Sequence, residues 1–282
     1  MSWGVSDLGV RFGRVSALDG VSLDAADGQV TAVVGGDASG KSTLLRVLVG
    51  LLSADVGEVC RPPAHQIGYL AAGSGVYPDL SVEQNLIFSA AAYGLSPAEA
   101  RARAEPYLDR MNLTGARHRQ AAQLSGGMRR KLGVVRAMLH HPALLVLDEP
   151  TTGIDPVSRA DVWWLISLAA ADGAAVVLAT TYVEEAQRAA SVLLLEDGRV
   201  LASGSPTDIV EGLPGEIRSL SARPAGAEAA RAWRRGPSWR LWLPPGAPSH
   251  VDGGDLIAPD LNDAVVVASL RLELAGPSGA GR

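Results

Sequence analysis

Five short runs do most to constrain this chain: VTAVV at 30–34, IGYL at 67–70, LLVL at 144–147, VVLA at 176–179 and VLLLE at 192–196. Their residues are apolar in succession. A strand with one wet face alternates apolar and polar residues; a strand apolar throughout is buried on both faces, as in a parallel sheet covered on two sides. Helical patterns lie between the runs, among them Lys41 to Leu52 and Val157 to Ala171. The chain therefore reads as an α/β core with helices packed on its sheet. In such sheets ligands collect beyond the carboxyl ends of the strands, so the residues that follow each run are where chemistry is sought.

Two stretches break the alternation. From about Ser81 to His141 the signal is helical with no clear strand, and SPAEARARAEPYLDRM opens on Ser96–Pro97, an N-cap followed by proline at the first helical position. This reads as an inserted helical subdomain, about 81–141, within a main domain spanning 1–212. After Gly212 the chain turns rich in Gly, Pro, Ala and Arg, then offers SWRLWL and DAVVVASLRLEL. These suit strands, or a strand and a helix, of a small α+β accessory domain over 213–275, and residues 276–282 are expected to be a disordered tail. No internal repeat is visible.

Composition narrows the partners. The formal net charge of −5 argues against a nucleic-acid partner, which normally demands a basic face. RAWRRGPSWRLWL interleaves arginine with tryptophan in the manner of a single-strand binder, but is read as part of the accessory domain. The single cysteine, Cys60, cannot form an internal disulfide, so a reducing, cytoplasmic setting is expected. MSWGVSDLGVRF has neither a charged start nor an apolar core, so no secretory signal is expected. No run reaches the roughly 18 apolar residues of a membrane span, because Asp172–Gly173 interrupts the longest candidate. Contact with a membrane is expected to go through a partner.

GGDASGKS, Gly35 to Ser42, fits the G-x-x-x-x-G-K-[ST] phosphate loop in its required context, after the strand VTAVV and before the helix STLLRVLVGLL. Gly35, Gly36, Asp37, Ala38, Ser39 and Gly40, continuing to Thr43, would close backbone N–H groups around phosphates as an anion nest. Lys41 would hold the β- and γ-phosphates and Ser42 would ligate Mg²⁺. ALLVLDEP, Ala143 to Pro150, ends an apolar strand in two carboxylates. Asp148 suits Mg²⁺ through water and Glu149 suits polarising the attacking water. In LSGGMRRKL, Leu124 to Leu132, Ser125 is a good N-cap, and Gly126–Gly127 leave N–H groups bare for a phosphate from another molecule.

With these motifs in order, followed by TTGIDP, the chain resembles the ATP-binding subunits of ATP-binding cassette (ABC) transporters over roughly residues 4–212. The resemblance implies a P-loop NTPase fold: a RecA-like core, β edge strands and an inserted helical subdomain. It also implies an ATPase using ATP and Mg²⁺, coupled to a transmembrane permease and held on the inner face of the membrane through it. In that family two subunits pair head-to-tail, so Ser125, Gly126 and Gly127 would touch the nucleotide of a partner and Asp155 would cross the interface. Phe12 stands where the family keeps a ring that stacks on adenine, and 75–86 stands where the permease docks. APDLNDAVVVASL, 258–270, resembles the P-x-L-x-D-x-F ending of cassettes serving ABC-2 type exporters, with Val265 in place of the phenylalanine.

Two positions depart from the family pattern. Ala72 stands where a glutamine that contacts Mg²⁺ and attacking water belongs, and Thr181 stands where a histidine donates to the γ-phosphate. A threonine hydroxyl is shorter than imidazole and cannot carry its charge. The TTYVEEAQ form also resembles the degenerate half of paired-cassette exporters. The expected activity is thus ATP-driven export with a degenerate hydrolytic site of its own, in a homodimer or with a second, intact subunit. Alternatives are a soluble cassette ATPase acting on ribosomes or DNA, and a regulatory subunit that binds nucleotide without turnover. Trp163–Trp164 reads as packing, His140–His141 as a pair suited to a helix end, and Cys60 as without chemistry.

Overall fold

The computed structural model describes residues 2–246 and 254–275, and the chain divides into two compact units, Met1–Val200 and Leu201–Arg282. In the first, β1 (Ser2–Phe12) and β2 (Val15–Ala26) form a hairpin and lead into β3 (Val30–Val34), α1 (Lys41–Val49), β4 (Val56–Cys60) and β5 (Ile67–Leu70). Helices α2 (Val82–Ala91), α3 (Pro97–Arg110) and α4 (Gly126–Met138) follow. The unit continues through β6 (Leu144–Asp148), α5 (Pro156–Ala171), β7 (Ala175–Thr180), α6 (Val183–Ala186), β8 (Ser191–Glu196) and the start of β9 (Arg199–Gly204).

The five apolar runs are neighbouring strands of one sheet, ordered β5-β6-β7-β3-β8-β9, and the four pairings from β5 to β8 are parallel. Every residue of β3, β6 and β7 is buried, which is why these strands show no polar face. On one side Val33, Val146 and Val177 pack with Leu44, Leu45 and Leu48 of α1 and with Leu8 and Leu18 of a second, antiparallel sheet β2-β1-β4. The alternate residues, Ala32, Leu145 and Val176, point to the other side, where α4 and α5 lie. Full burial of each such leucine or valine contributes about 1.5–3 kcal/mol.

Between β5 and β6 there is no strand among the described residues, only α2, α3, α4, short 3₁₀ turns and an isolated bridge between Ser81 and Gln120. Local capping starts these helices. Ser81 and Gln84 form one capping box and Ser96 and Glu99 another, with Pro97 in the first turn. Helix α1 stops at Val49, short of the apolar pattern's Leu52, because Gly50 adopts φ 84° and its amide turns back to the carbonyls of Arg46 and Val47.

The second unit holds α7 (Pro206–Glu211), β10 (Glu216–Leu220), β11 (Ala232–Arg235), β12 (Ser238–Leu243), β13 (Asp255–Ile257) and α8 (Leu261–Ala275). Its strands form an antiparallel sheet ordered β11-β12-β10-β13. SWRLWL is β12, and DAVVVASLRLEL lies within α8. Ile217, Trp242 and Val267 make a separate small core, and the Trp242 indole donates to the Pro214 carbonyl at 2.7 Å. Asp263 is buried and accepts from Arg235, which also pairs with Asp260. The expected disordered tail, 276–282, lies outside the described residues.

Candidate functional site

The strand registers bring the motif residues to one rim. Leu70 pairs with Leu147, Asp148 with Ala179, and Val34 with Thr180. Gly35, Ala72, Glu149 and Thr181 therefore all leave the sheet along its carboxyl edge, where a parallel sheet presents its ligands.

The phosphate loop follows β3 and is shaped by close backbone approach. A Cβ on Gly35 would sit 2.1 Å from the Leu195 carbonyl oxygen, and one on Gly40 would sit 2.7 Å from that of Ala17. Gly40 also takes φ 104°, a left-handed conformation open to glycine. No side chain caps α1 at Gly40, so the first amides of the helix are bare and the positive end of its dipole faces the loop. Lys41, 5% exposed, folds back and donates from Nζ to the carbonyls of Gly35 at 2.9 Å and Gly36 at 2.6 Å. Asp37, Ala38, Ser39, Gly40, Lys41, Ser42 and Thr43 line a cavity of 460 Å³ with Glu149 and Asp197. Phe12, 52% exposed beside the tight β1–β2 turn, forms part of its wall.

Asp148 ends β6 at 1% exposure, yet neither carboxylate oxygen has a hydrogen-bond partner among the described residues. A buried carboxylate without hydrogen bonds is unfavourable by itself, so this position suits a bound cation. Ser39 Oγ and Thr151 Oγ1 are also buried without partners. A carboxylate at a strand end beside a phosphate loop suits a hard ion such as Mg²⁺, which binds through a few protein ligands plus phosphate and water. Glu149 leaves the strand at φ 50° and its amide donates to the Ala179 carbonyl at 2.9 Å. That turn sends its side chain to the cavity rather than along the sheet. No cluster of three or more His, Cys, Asp or Glu suited to a metal occurs among the described residues.

At the two departures the structure separates neighbours that look alike in sequence. Thr180, fully buried, donates to Glu185 Oε2 at 2.7 Å and accepts from the Tyr182 amide at 3.0 Å. Thr181 is half-buried and forms no hydrogen bond among the described residues. The Ala72 side chain is exposed, and its carbonyl accepts from Arg130 Nη1 of α4 at 3.0 Å. Neither Thr180 nor Arg130 stood out in the sequence; the polar pair Thr180–Glu185, five apart around a strand end, was the available signal for the first.

Ser125, Gly126 and Gly127 are not brought to this cavity. Ser125 caps α4 by accepting from the Met128 amide at 3.2 Å, and Ser125 and Gly126 are exposed. Gly127 is buried, and a Cβ there would lie 2.6 Å from Ser158 Oγ. Asp155 caps α5 through the amides of Val157 and Ser158, both at 3.0 Å, and these bonds hold its carboxyl below its ordinary pKa. Trp163 is buried while Trp164 is partly exposed beneath Arg110. His140 stacks on Tyr93 with ring centroids 3.5 Å apart. Cys60 is an exposed free thiol.

Comparison with known proteins agrees with this geometry. A family model described as ABC transporter matches residues 18–152. A Nod factor export ATP-binding protein I of Paraburkholderia xenovorans (strain LB400) is 32% identical over 210 residues, covering 71% of this chain and 69% of that one. The daunorubicin resistance ATP-binding protein DrrA3 of Streptomyces coeruleorubidus is 36% identical over 228 residues, 77% of this chain and 72% of its own. The solved structure of an ATP-binding subunit of an ABC transporter superposes with a TM-score of 0.70 at 29% identity, over 75% of this chain and 93% of that one. An ATP-binding cassette in a dimeric, post-hydrolysis state bound to ADP and Pi shares the fold, with a TM-score of 0.65 at 23% identity over 73% of this chain and 98% of that one. The ordered motifs along one sheet edge and these relatives together mean that the chain belongs to the ABC transporter family, as an ATP-binding subunit whose ATPase is coupled to transport.

Proposed function

We propose that this chain drives export through a separate membrane permease, pairing head-to-tail with a second ATP-binding subunit while its own hydrolytic site turns over slowly. The observation that carries the pairing is the separation of two phosphate-binding elements. The loop 35–43 lines the cavity with Glu149, whereas Ser125 and Gly126 are exposed at the bare end of another helix and do not line it. Bare amides at an exposed helix start outside the cavity suit a nucleotide held by a second chain. No helix among the described residues is long and apolar enough to cross a membrane, which fits a permease supplied separately. Export as the direction follows the name of the Nod factor export relative and the APDLND ending.

ATP would lie with its base against Phe12 and its phosphates on the loop amides, with Lys41 moving from the loop carbonyls onto the phosphates. Ser42 and Asp148 would hold Mg²⁺, which would supply positive charge to offset that developing on the phosphates. Glu149 would orient and polarise the attacking water. With Ala72 and Thr181 in place of glutamine and histidine, two groups that would position water and γ-phosphate are missing; one such donor is worth about 2.7–4 kcal/mol. The permease would dock at a groove where Tyr77 and Phe88, both exposed, meet edge to face at 4.9 Å.

Steady-state ATPase assays decide the degenerate site. Ala72→Gln/Thr181→His is expected to raise turnover by about tenfold or more; a wild type already as fast sinks the idea. Ser125→Arg should abolish turnover by the paired subunit, and unaltered turnover rules out the action in trans.

A further inference from the structure

Arg130, Gly133 and Arg136 lie three residues apart along α4, so they share one face of the helix. The loop that leaves β5 lies along that face in register with them. Arg130 Nη1 donates to the carbonyls of Ala72 at 3.0 Å and Gly73 at 2.8 Å. One turn on, Gly133 lets the loop backbone onto the helix: a Cβ there would sit 2.2 Å from the Ser74 carbonyl oxygen. A further turn on, the Arg136 guanidinium lies against Gly75, 2.6 Å from where its Cβ would be, and 5.9 Å from the centre of the Tyr77 ring. Three consecutive turns of the helix that begins at Ser125 thus hold residues 72–77 in order.

Burial, the largest cause, holds the Arg130 pKa below its ordinary value, while the carboxylates of Glu149 and Asp148 on the nucleotide rim act in the opposite direction. Ala72 carries no side chain that could link the loop to that rim. We infer that Arg130 is a positioning residue that supplies this link: it clasps the loop 72–77 to the signature helix, so that the two move as one body, and it does so through backbone carbonyls, which the side chain at position 72 leaves untouched. The consequence for turnover rests on the proposed cassette function; the clasp itself does not.

The test uses the full chain with Cys60→Ser and a nitroxide on Ala72→Cys, an exposed position whose backbone carbonyl, not its side chain, takes the Arg130 hydrogen bond. Without nucleotide, Arg130→Met should shorten the label's rotational correlation time by about threefold or more, Arg130→Lys should restore most of the immobilisation, and Gly133→Ala should resemble Arg130→Met. In unlabelled protein assembled with its partner subunit, Arg130→Met should lower kcat about tenfold with KM for ATP within about twofold, and Arg130→Lys should recover kcat in part. Unchanged label mobility in both Arg130→Met and Gly133→Ala overturns the clasp. A freed label with unchanged kcat overturns the positioning role. Wild-type protein that fails to turn over ATP strikes the proposed function instead, while label mobility still decides the clasp.

Discussion

At the scale of one residue, Asp148 is a local liability. Its carboxylate is buried at 1% exposure, with neither oxygen hydrogen-bonded among the described residues, at the end of one fully buried strand and beside another. Asp148→Asn removes the charge and is expected to stabilise the nucleotide-free chain by about 1–3 kcal/mol in denaturant unfolding, while Mg²⁺-dependent nucleotide binding is lost. Lower stability of the variant would mean that the carboxylate is paired after all. His140 holds a second liability. Burial, the largest cause, pushes its pKa from 6.5 to about 4, against the opposing influence of the Ile67 backbone beside it. The folded pKa lies below the unfolded one, so the unfolded chain binds the proton first. Stability is therefore full above 6.5 and declines as pH falls toward about 4. His140→Phe keeps the stack on Tyr93 without titrating, and its urea midpoint should fall less than the wild type's between pH 7.5 and about 5.

Individual elements carry their own constraints, and most are written locally. Helix starts are set by Ser81, Ser96, Ser125 and Asp155 accepting from amides in the next turn, and the end of α1 by Gly50. The phosphate loop is the exception in which local rules are strained for a purpose. Gly40 combines φ 104° with a 2.7 Å approach to the Ala17 carbonyl, and Ala38 holds φ 63°. Gly40→Ala should destabilise the chain by about 1–3 kcal/mol in a thermal melt and weaken nucleotide binding with it, because the loop must move off its nest geometry. Retained affinity would separate the loop's shape from its function. The neighbouring strand end follows the same logic in reverse. Thr180 is tied to Glu185 and Tyr182, which leaves Thr181 as the residue free at the rim.

The whole molecule has two compact units with separate cores, one built on the parallel sheet and the other on Ile217, Trp242 and Val267. Trp242→Ala removes a buried indole together with its bond to Pro214, a change of about 3–5 kcal/mol for a large core aromatic. Its effect is expected in the unfolding of residues 201–282, with nucleotide affinity of the first unit within about twofold. A large loss of affinity would join the two units energetically. In the proposed scheme Ser125 and Gly126 would face a second subunit; both are exposed, whereas Asp148 is buried and Glu149 lines the cavity.

Much of this was legible in sequence because it depends on short-range rules. Doubly apolar runs announced strands covered on both faces, Gly35 to Ser42 announced a glycine-shaped loop opening a helix, and Ser96–Pro97 announced a helix start. The order of motifs announced the family. What sequence periodicity reports is how much of an element is buried, averaged over its turns, and not which distant atom it meets. Only tertiary structure could therefore decide that Arg130 reaches carbonyls 57 and 58 residues away, that the Asp148 carboxylate makes no hydrogen bond among the described residues, that Thr180 rather than Thr181 is bonded, and that His140 lies flat on Tyr93. Each of these turns on a contact between segments remote in the chain, and such contacts exist only once the sheet has set the spacing between them.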